Sequence, residues 1–363
     1  MKYHLILTID YELFGNGTGC LEHCVINPTR QCLDTLAAFS APMTFFVDSS
    51  EFRAIKQVSQ KQQGYAEFND VEQQLKKALS DGHNLQLHLH PQWLDATYDP
   101  TVTQGTPWTL AYDKWRIGDL GKEDLERCIV EGMEYLTQLL PTNNGTENRQ
   151  HLHVFRAGGW AIQPCSQVLK ALTAHGITVE TTVAPGAYNA AKGDWYDFRK
   201  TPKAPFWPID DDICTASNTP ISQADMLEAP IATASIGRIK HIKALLENRR
   251  QPSLPEGCTG SYDGPNNKQQ ALAGKASKVA NIGRVMLDYS TLPSELLIEV
   301  TQQTMAQFAH EKHPVPIVAI GHNKNFTQHS NEHLATWLQW AHAHPDIHLS
   351  DYRQWTDTLS LHS

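Results

Sequence analysis

The feature that most constrains this chain is an alternation of two hydrophobic periods. Short apolar runs appear at YHLILTID (3–10), PMTFFVD (42–48), NLQLHLH (84–90), HVFRA (153–157), ITVETTVA (177–184), PIVAIGH (316–322) and DIHLSDY (346–352). Between them lie stretches whose apolar residues recur at helical spacing, at 68–83, 122–140, 164–176, 294–313 and 331–344. Unbroken apolar runs of this length suit strands covered on both faces. Strands interleaved with helices imply crossover units and a parallel sheet, open or closed into a barrel. The rhythm fails between about 186 and 290, where turn residues and polar residues crowd together. That stretch reads as a loop-rich insertion within a single domain spanning 1–363, at one end of the sheet where ligands are gripped.

Composition narrows the partners. The net charge of −9 argues against nucleic acid or an anionic membrane surface, since both call for a basic face. No stretch reaches the roughly 18 apolar residues that a membrane-spanning helix needs. The first apolar run meets Asp10 and Glu12 within a dozen residues, so it reads as a core strand and not a secretory leader, and a cytoplasmic location is expected. Seven scattered cysteines suggest reduced thiols; Cys20 and Cys24 flank His23, but the spacing of a zinc knot is missing.

Parallel α/β folds collect their chemistry at the carboxyl ends of the strands. Here those ends carry Asp10 and Glu12, then His88 and His90, then Arg156, and late in the chain His322. Residues two apart in a strand share a face, so the first and third strands each offer a pair to the same mouth. A lone carboxylate there would be an ordinary turn cap, and a lone histidine an ordinary core residue. Carboxylate and paired imidazoles together form the donor set of a divalent catalytic metal with open positions.

These motifs, in this order, give the chain its resemblance to the polysaccharide deacetylases of the NodB-homology superfamily. LTIDYE is similar to the family's Thr-Phe-Asp-Asp motif, and PMTFFV to its second strand. SDGHNLQLHLH resembles the approach to the metal, with Gly82 and His83 opening it and His88 in a ligand place. FRAGGW stands where the family has Arg-x-Pro-Tyr, and PIVAIGHNKNF resembles the last strand with its catalytic histidine. There are departures. Tyr11 separates the two acidic residues, Gln92 occupies the usual place of the second metal histidine, and Gly158 and Gly159 replace the motif's proline region.

The resemblance implies a distorted (β/α)7 barrel with long loop insertions. It also implies a hydrolase that removes an N-acetyl or similar acyl group from an amino sugar, polysaccharide or glycan precursor. Its cofactor would be a divalent ion, zinc foremost, with cobalt, nickel or iron as alternatives. Glu12, His88 and His90 would hold the ion, with the second histidine's role moved from the Gln92 place to His90. Asp10 would be the general base, Arg156 would orient it, and His322 would protonate the departing amine. Gly158 and Gly159 would let a backbone N–H approach the oxyanion. Trp93, Trp160, Trp195 and Trp207 could stack on sugar rings or simply pack the core. Asp197 and Arg199 could support the base or the arginine. Two rivals remain open: an amidase of the same fold acting on a small amide, and a non-catalytic sugar-binding relative. GNGTG (15–19) lacks dinucleotide spacing and reads as a loop, and His329 and His333 read as a solvated helix start.

Overall fold

The computed structural model describes residues 2–102, 105–141, 152–190, 195–248, 251–261 and 283–361. Seven parallel strands follow one another around a curled sheet in chain order: β1 (Tyr3–Tyr11), β2 (Thr44–Asp48), β3 (Asn84–Leu89), β4 (Val154–Ala157), β5 (Val179–Glu180), β6 (Leu227–Glu228) and β7 (Val315–His322). β7 returns to pair with β1, from Tyr3 beside Val315 to Asp10 beside His322. Along the remaining edge of β7, among the described residues, two isolated bridges complete the wall, Ile231 to Val318 just beyond β6 and Asp288 to Ile320, and Ala232 N–H donates to the Val318 carbonyl at 2.9 Å. The sheet is therefore a barrel, distorted where it closes. An eighth strand, β8 (Ile347–Ser350), lies parallel to the first half of β1.

The covering helices explain why the strands are apolar on both faces. They are α1 (Asn27–Ala37), α2 (Ser49–Gln60), α3 (Phe68–Ser80), α4 (Lys122–Thr137), α5 (Ser166–Ala174), α6 (Arg238–Asn248), α7 (Ser294–Gln307), α8 (Gln328–Ala343) and α9 (Tyr352–Leu361). Every residue of β1 and β2 is buried. α2 begins directly from β2 because the Asp48 side chain accepts the Glu51 N–H, leaving no linker between strand and helix. Pro28 sits in the first turn of α1, where its missing N–H costs nothing. No helix among the described residues is long and apolar enough to cross a membrane.

Two expectations need correction. The sixth barrel strand lies inside the 186–290 stretch read as an insertion, so part of that stretch belongs to the barrel wall. Its two paired residues are too few to print a strand pattern on the sequence. Nor are all the cysteines reduced: Cys24 and Cys258 form a disulfide with Cα atoms 5.1 Å apart, which also removes Cys24 from any metal knot with Cys20 and His23. The partners are 234 residues apart, and only the folded chain brings them together. Cys20, Cys32, Cys128, Cys165 and Cys214 are free.

Candidate metal and acid–base site

Strand register assembles the site. Asp10 on β1 has His322 on one side and Phe46 on the other, while His88 on β3 lies between Asp48 and Arg156. Arg156 is completely buried and reaches from β4 to β1. Its Nη1 donates to Asp10 Oδ1 at 2.7 Å and to Thr8 Oγ1 at 2.9 Å, while its Nε donates to the Thr181 carbonyl. The Phe46 ring lies 4.2 Å from the guanidinium carbon. Burial alone would lift the Asp10 pKa, but Arg156, helped by His88 and His322, holds it below the ordinary carboxylate range. Its other oxygen, Oδ2, lies 3.5 Å from His322 Nε2.

Glu12 stands one step beyond the end of β1, only 4% exposed. Asn323 clamps its backbone, accepting the Glu12 N–H and donating to the Glu12 carbonyl, each at 2.9 Å. Lys324 Nζ donates to Glu12 Oε1 at 2.8 Å and to the Leu13 carbonyl at 2.8 Å. Against the pull of burial, Lys324 and then His90 keep the Glu12 pKa well below its usual value. The second carboxylate oxygen, Oε2, has no hydrogen-bond partner; it lies 3.6 Å from His88 Nε2 and 3.2 Å from His90 Nδ1.

Both imidazoles are held by oxygen atoms of the surrounding chain. His88 Nδ1 meets the Arg156 carbonyl at 2.9 Å, leaving a buried Nε2 without a partner. His90 Nδ1 lies 3.0 Å from Asp48 Oδ2 and is the same nitrogen that faces Glu12 Oε2, so two carboxylates grip one edge of the ring. Burial would lower the His90 pKa, but Glu12 and Asp48 together raise it. Glu51 completes the cluster, accepting the Leu13 N–H with both oxygens. Burial, then Asp48 and Glu12, push the pKa of its carboxyl well up from the ordinary range.

The donor set fits a divalent cation. Glu12, His88 and His90 each place one ligand atom within 4.8 Å of the others, as do Asp10, Glu12 and His322. Glu12 Oε2 and His88 Nε2 are buried, unpartnered and mutually facing, a costly arrangement unless something bridges them. The first triad is the better holder, because Asp10 in the second already has Arg156 at 2.7 Å.

Gly158 and Gly159 matter for their lack of a side chain. A Cβ on Gly158 would fall 2.6 Å from the His90 ring and from the Leu89 carbonyl, and Gly159 has φ +58°. Trp160 follows with φ +57°, rare for a bulky residue, and its ring lies 6.1 Å from His322. Trp93 does not belong to the site surface. It is 1% exposed and packs edge-on against Trp108 at 5.0 Å, because the turn after Pro91 folds it back into the core. Trp207 is likewise buried, donating to the Ile213 carbonyl. Trp195 is half-buried beneath Arg116. Asp197 pairs with its own neighbour Arg199, which lies over Tyr188, and neither is among the partners of Asp10 or Arg156. His329 and His333 lie at the start of α8 as expected, but half-buried and facing each other, Nε2 to Nε2, at 3.1 Å.

Sequence reasoning missed Asp48, Glu51, Asn323 and Lys324. The signals were faint. Asp-Ser-Ser-Glu at 48–51 reads as a helix cap, which it also is, and Asn323 and Lys324 directly follow the recognised histidine.

No protein-family profile matches the chain. No curated protein matches it either. Solved structures do. A Mycobacterium smegmatis protein assigned as a polysaccharide deacetylase superposes with a TM-score of 0.51 at 11% identity, covering 99% of this chain and 91% of that one. The fold is that of the NodB-type deacetylases. A GH57-type branching enzyme from Pyrococcus horikoshii has the same barrel, with a TM-score of 0.52 at 8% identity over 99% of this chain and 71% of its own. An allantoinase superposes at 0.48 with 9% identity, over 99% and 91% of the respective chains. At these identities the likeness is one of fold, and a fold alone does not fix a reaction. The chemistry must be argued from the side chains.

Proposed function

We propose that the chain is a metal-dependent hydrolase that removes an N-acetyl or similar acyl group from an amino sugar or glycan. One observation carries this: two buried, unpartnered ligand atoms, Glu12 Oε2 and His88 Nε2, lie 3.6 Å apart beside His90, with a ligand atom of Asp10 within 4.8 Å of one on Glu12. A divalent ion held by Glu12, His88 and His90 would supply Lewis acidity to an acyl oxygen and to water.

The protein's own groups do the rest. Asp10 is ionised and lies beside that triad, so it can accept a proton from water in the site; Arg156 fixes its orientation through Oδ1 and leaves Oδ2 for the reaction. His322 sits 3.5 Å from that same Oδ2, placed to receive the proton and pass it to a departing amine. The Gly158–Gly159 turn presses backbone against His90, where an N–H can meet negative charge on an acyl oxygen. Trp160, next to His322, offers an apolar wall for the acyl group or a sugar face.

A second reading, an amidase for a small non-sugar amide, has one observation in its favour. The side chains of Asp10, Glu12, His88 and His90 are each 8% exposed or less, and His322 is only 13% exposed, a narrow entry for a polymer. The test is direct. Purified protein is analysed for bound metal, then supplied with chitooligosaccharides and a panel of small N-acyl amides while released acetate and amine are measured. Acetate from the sugars alone supports the first reading, and turnover of small amides alone supports the second. A protein that takes up no zinc or cobalt at micromolar concentration is a binding relative, not this enzyme.

A further inference from the structure

The buried lysine beside the triad has no place in the scheme above. Lys324 spends its charge on Glu12 Oε1 and the Leu13 carbonyl, lies 5.5 Å from the Phe14 ring centre, and is 7% exposed. Asn323, its neighbour, locks the Glu12 backbone. The carboxylate is therefore fixed at both ends, with Oε1 taken and Oε2 turned toward the imidazoles. The other acid of the mouth is treated the same way, since Asp10 has its own buried cation in Arg156. Each anion nearest the proposed ion already has a permanent positive partner.

We infer that Lys324 is a positioning residue that restricts Glu12 to one ligating oxygen and keeps a positive charge next to the ion, so that the site binds metal less tightly than its ligands would allow and leaves the ion strongly polarising. This rests on the metal reading of the site. A cation one carboxylate away repels a divalent ion, and a carboxylate already shared donates less to it. A merely structural lysine, tying residues 12–13 to the last strand, predicts the opposite: its removal loosens Glu12 and weakens binding.

The experiment compares the metal-stripped full chain with Lys324→Met and Lys324→Arg, titrated with zinc and with cobalt against a chromophoric chelator. Lys324→Met is expected to bind the ion about tenfold or more tighter, within the range that outer-layer residues exert on metal sites. Lys324→Arg keeps the charge and should stay near the wild-type affinity. Equal or weaker binding by a Lys324→Met protein with native circular dichroism overturns the inference. Should that variant fail to fold, a crystal structure of the cobalt-loaded wild type decides: Glu12 bound through Oε2 alone, with Lys324 still on Oε1, is expected, and a two-oxygen Glu12 with Lys324 displaced overturns it. A wild type that binds no ion removes the metal reading itself, and this inference with it.

Discussion

At the barrel mouth, the buried Asp10 and Glu12 have their pKa values pulled down, whereas Glu180 and Glu228, neighbours in register on β5 and β6, have theirs pushed up. All four are buried. What differs is the company. Asp10 has Arg156, and Glu12 has Lys324, at hydrogen-bonding distance. Glu180 has the Thr182 hydroxyl and N–H, and Glu228 has the Val183 N–H. Burial raises both, and for Glu228 the nearby Glu180 raises it further, well above its usual value. Burial thus pushes upward in both places, and the adjacent cations are what turn Asp10 and Glu12 the other way. One cluster holds its carboxyls toward the charged form beside buried cations; the other lies where two strands pair.

Breaking that contrast gives an ordered set of outcomes. Asp10→Asn should keep the fold and the metal affinity while turnover falls by about 10²–10⁴-fold, as expected for a lost general base; surviving turnover in a steady-state assay would move the base elsewhere. Arg156→Met leaves a buried carboxylate without its partner, and a loss of about 3–5 kcal/mol in urea unfolding is expected. Asp48→Asn keeps the shape beside His90 but not the charge, so zinc affinity in a chelator competition should drop about 10–100-fold with little change in melting temperature.

The smallest effect is on the acid pair. Because the Glu228 pKa is raised by folding, its share of stability is present below the ordinary carboxylate range and lost as the pH climbs through the raised value. Glu228→Gln removes that titration, so melting temperatures of variant and wild type should diverge in the variant's favour as the pH is raised. The mouth behaves with opposite sign: Asp10 and Glu12 are depressed, so their contribution is lost as the pH falls below the ordinary range.

Much of this was legible in the chain. The apolar runs of β1, β2, β3 and β7 are long, so the barrel class could be read, and Asp10, Glu12, His88, His90, Arg156 and His322, which the fold brings together, stood out as polar groups at strand tips. Short strands were not. β5 and β6 each have two paired residues, and what makes them strands is the neighbour on either side. Trp93 misled because a tryptophan after a proline-terminated strand looks the same in sequence whether it turns outward or, as here, under Trp108. Lys324 and Asp48 escaped because a cation and a helix cap are common; only distance to Glu12 and His90 distinguishes them.

The pairing of β7 against β1 has a temporal consequence. His322 and Lys324 meet Asp10 and Glu12 across 312 residues of chain each, and the final strand supplies them. On the ribosome, the proposed metal ligands from β1 and β3 therefore emerge long before the lysine and the histidine that lie against Glu12 and Asp10. Such contacts form late and slowly in any chain whose order depends on distant pairing. A chain that ends before β7 would carry Glu12, His88 and His90 without His322 and Lys324, the partners of Asp10 and Glu12.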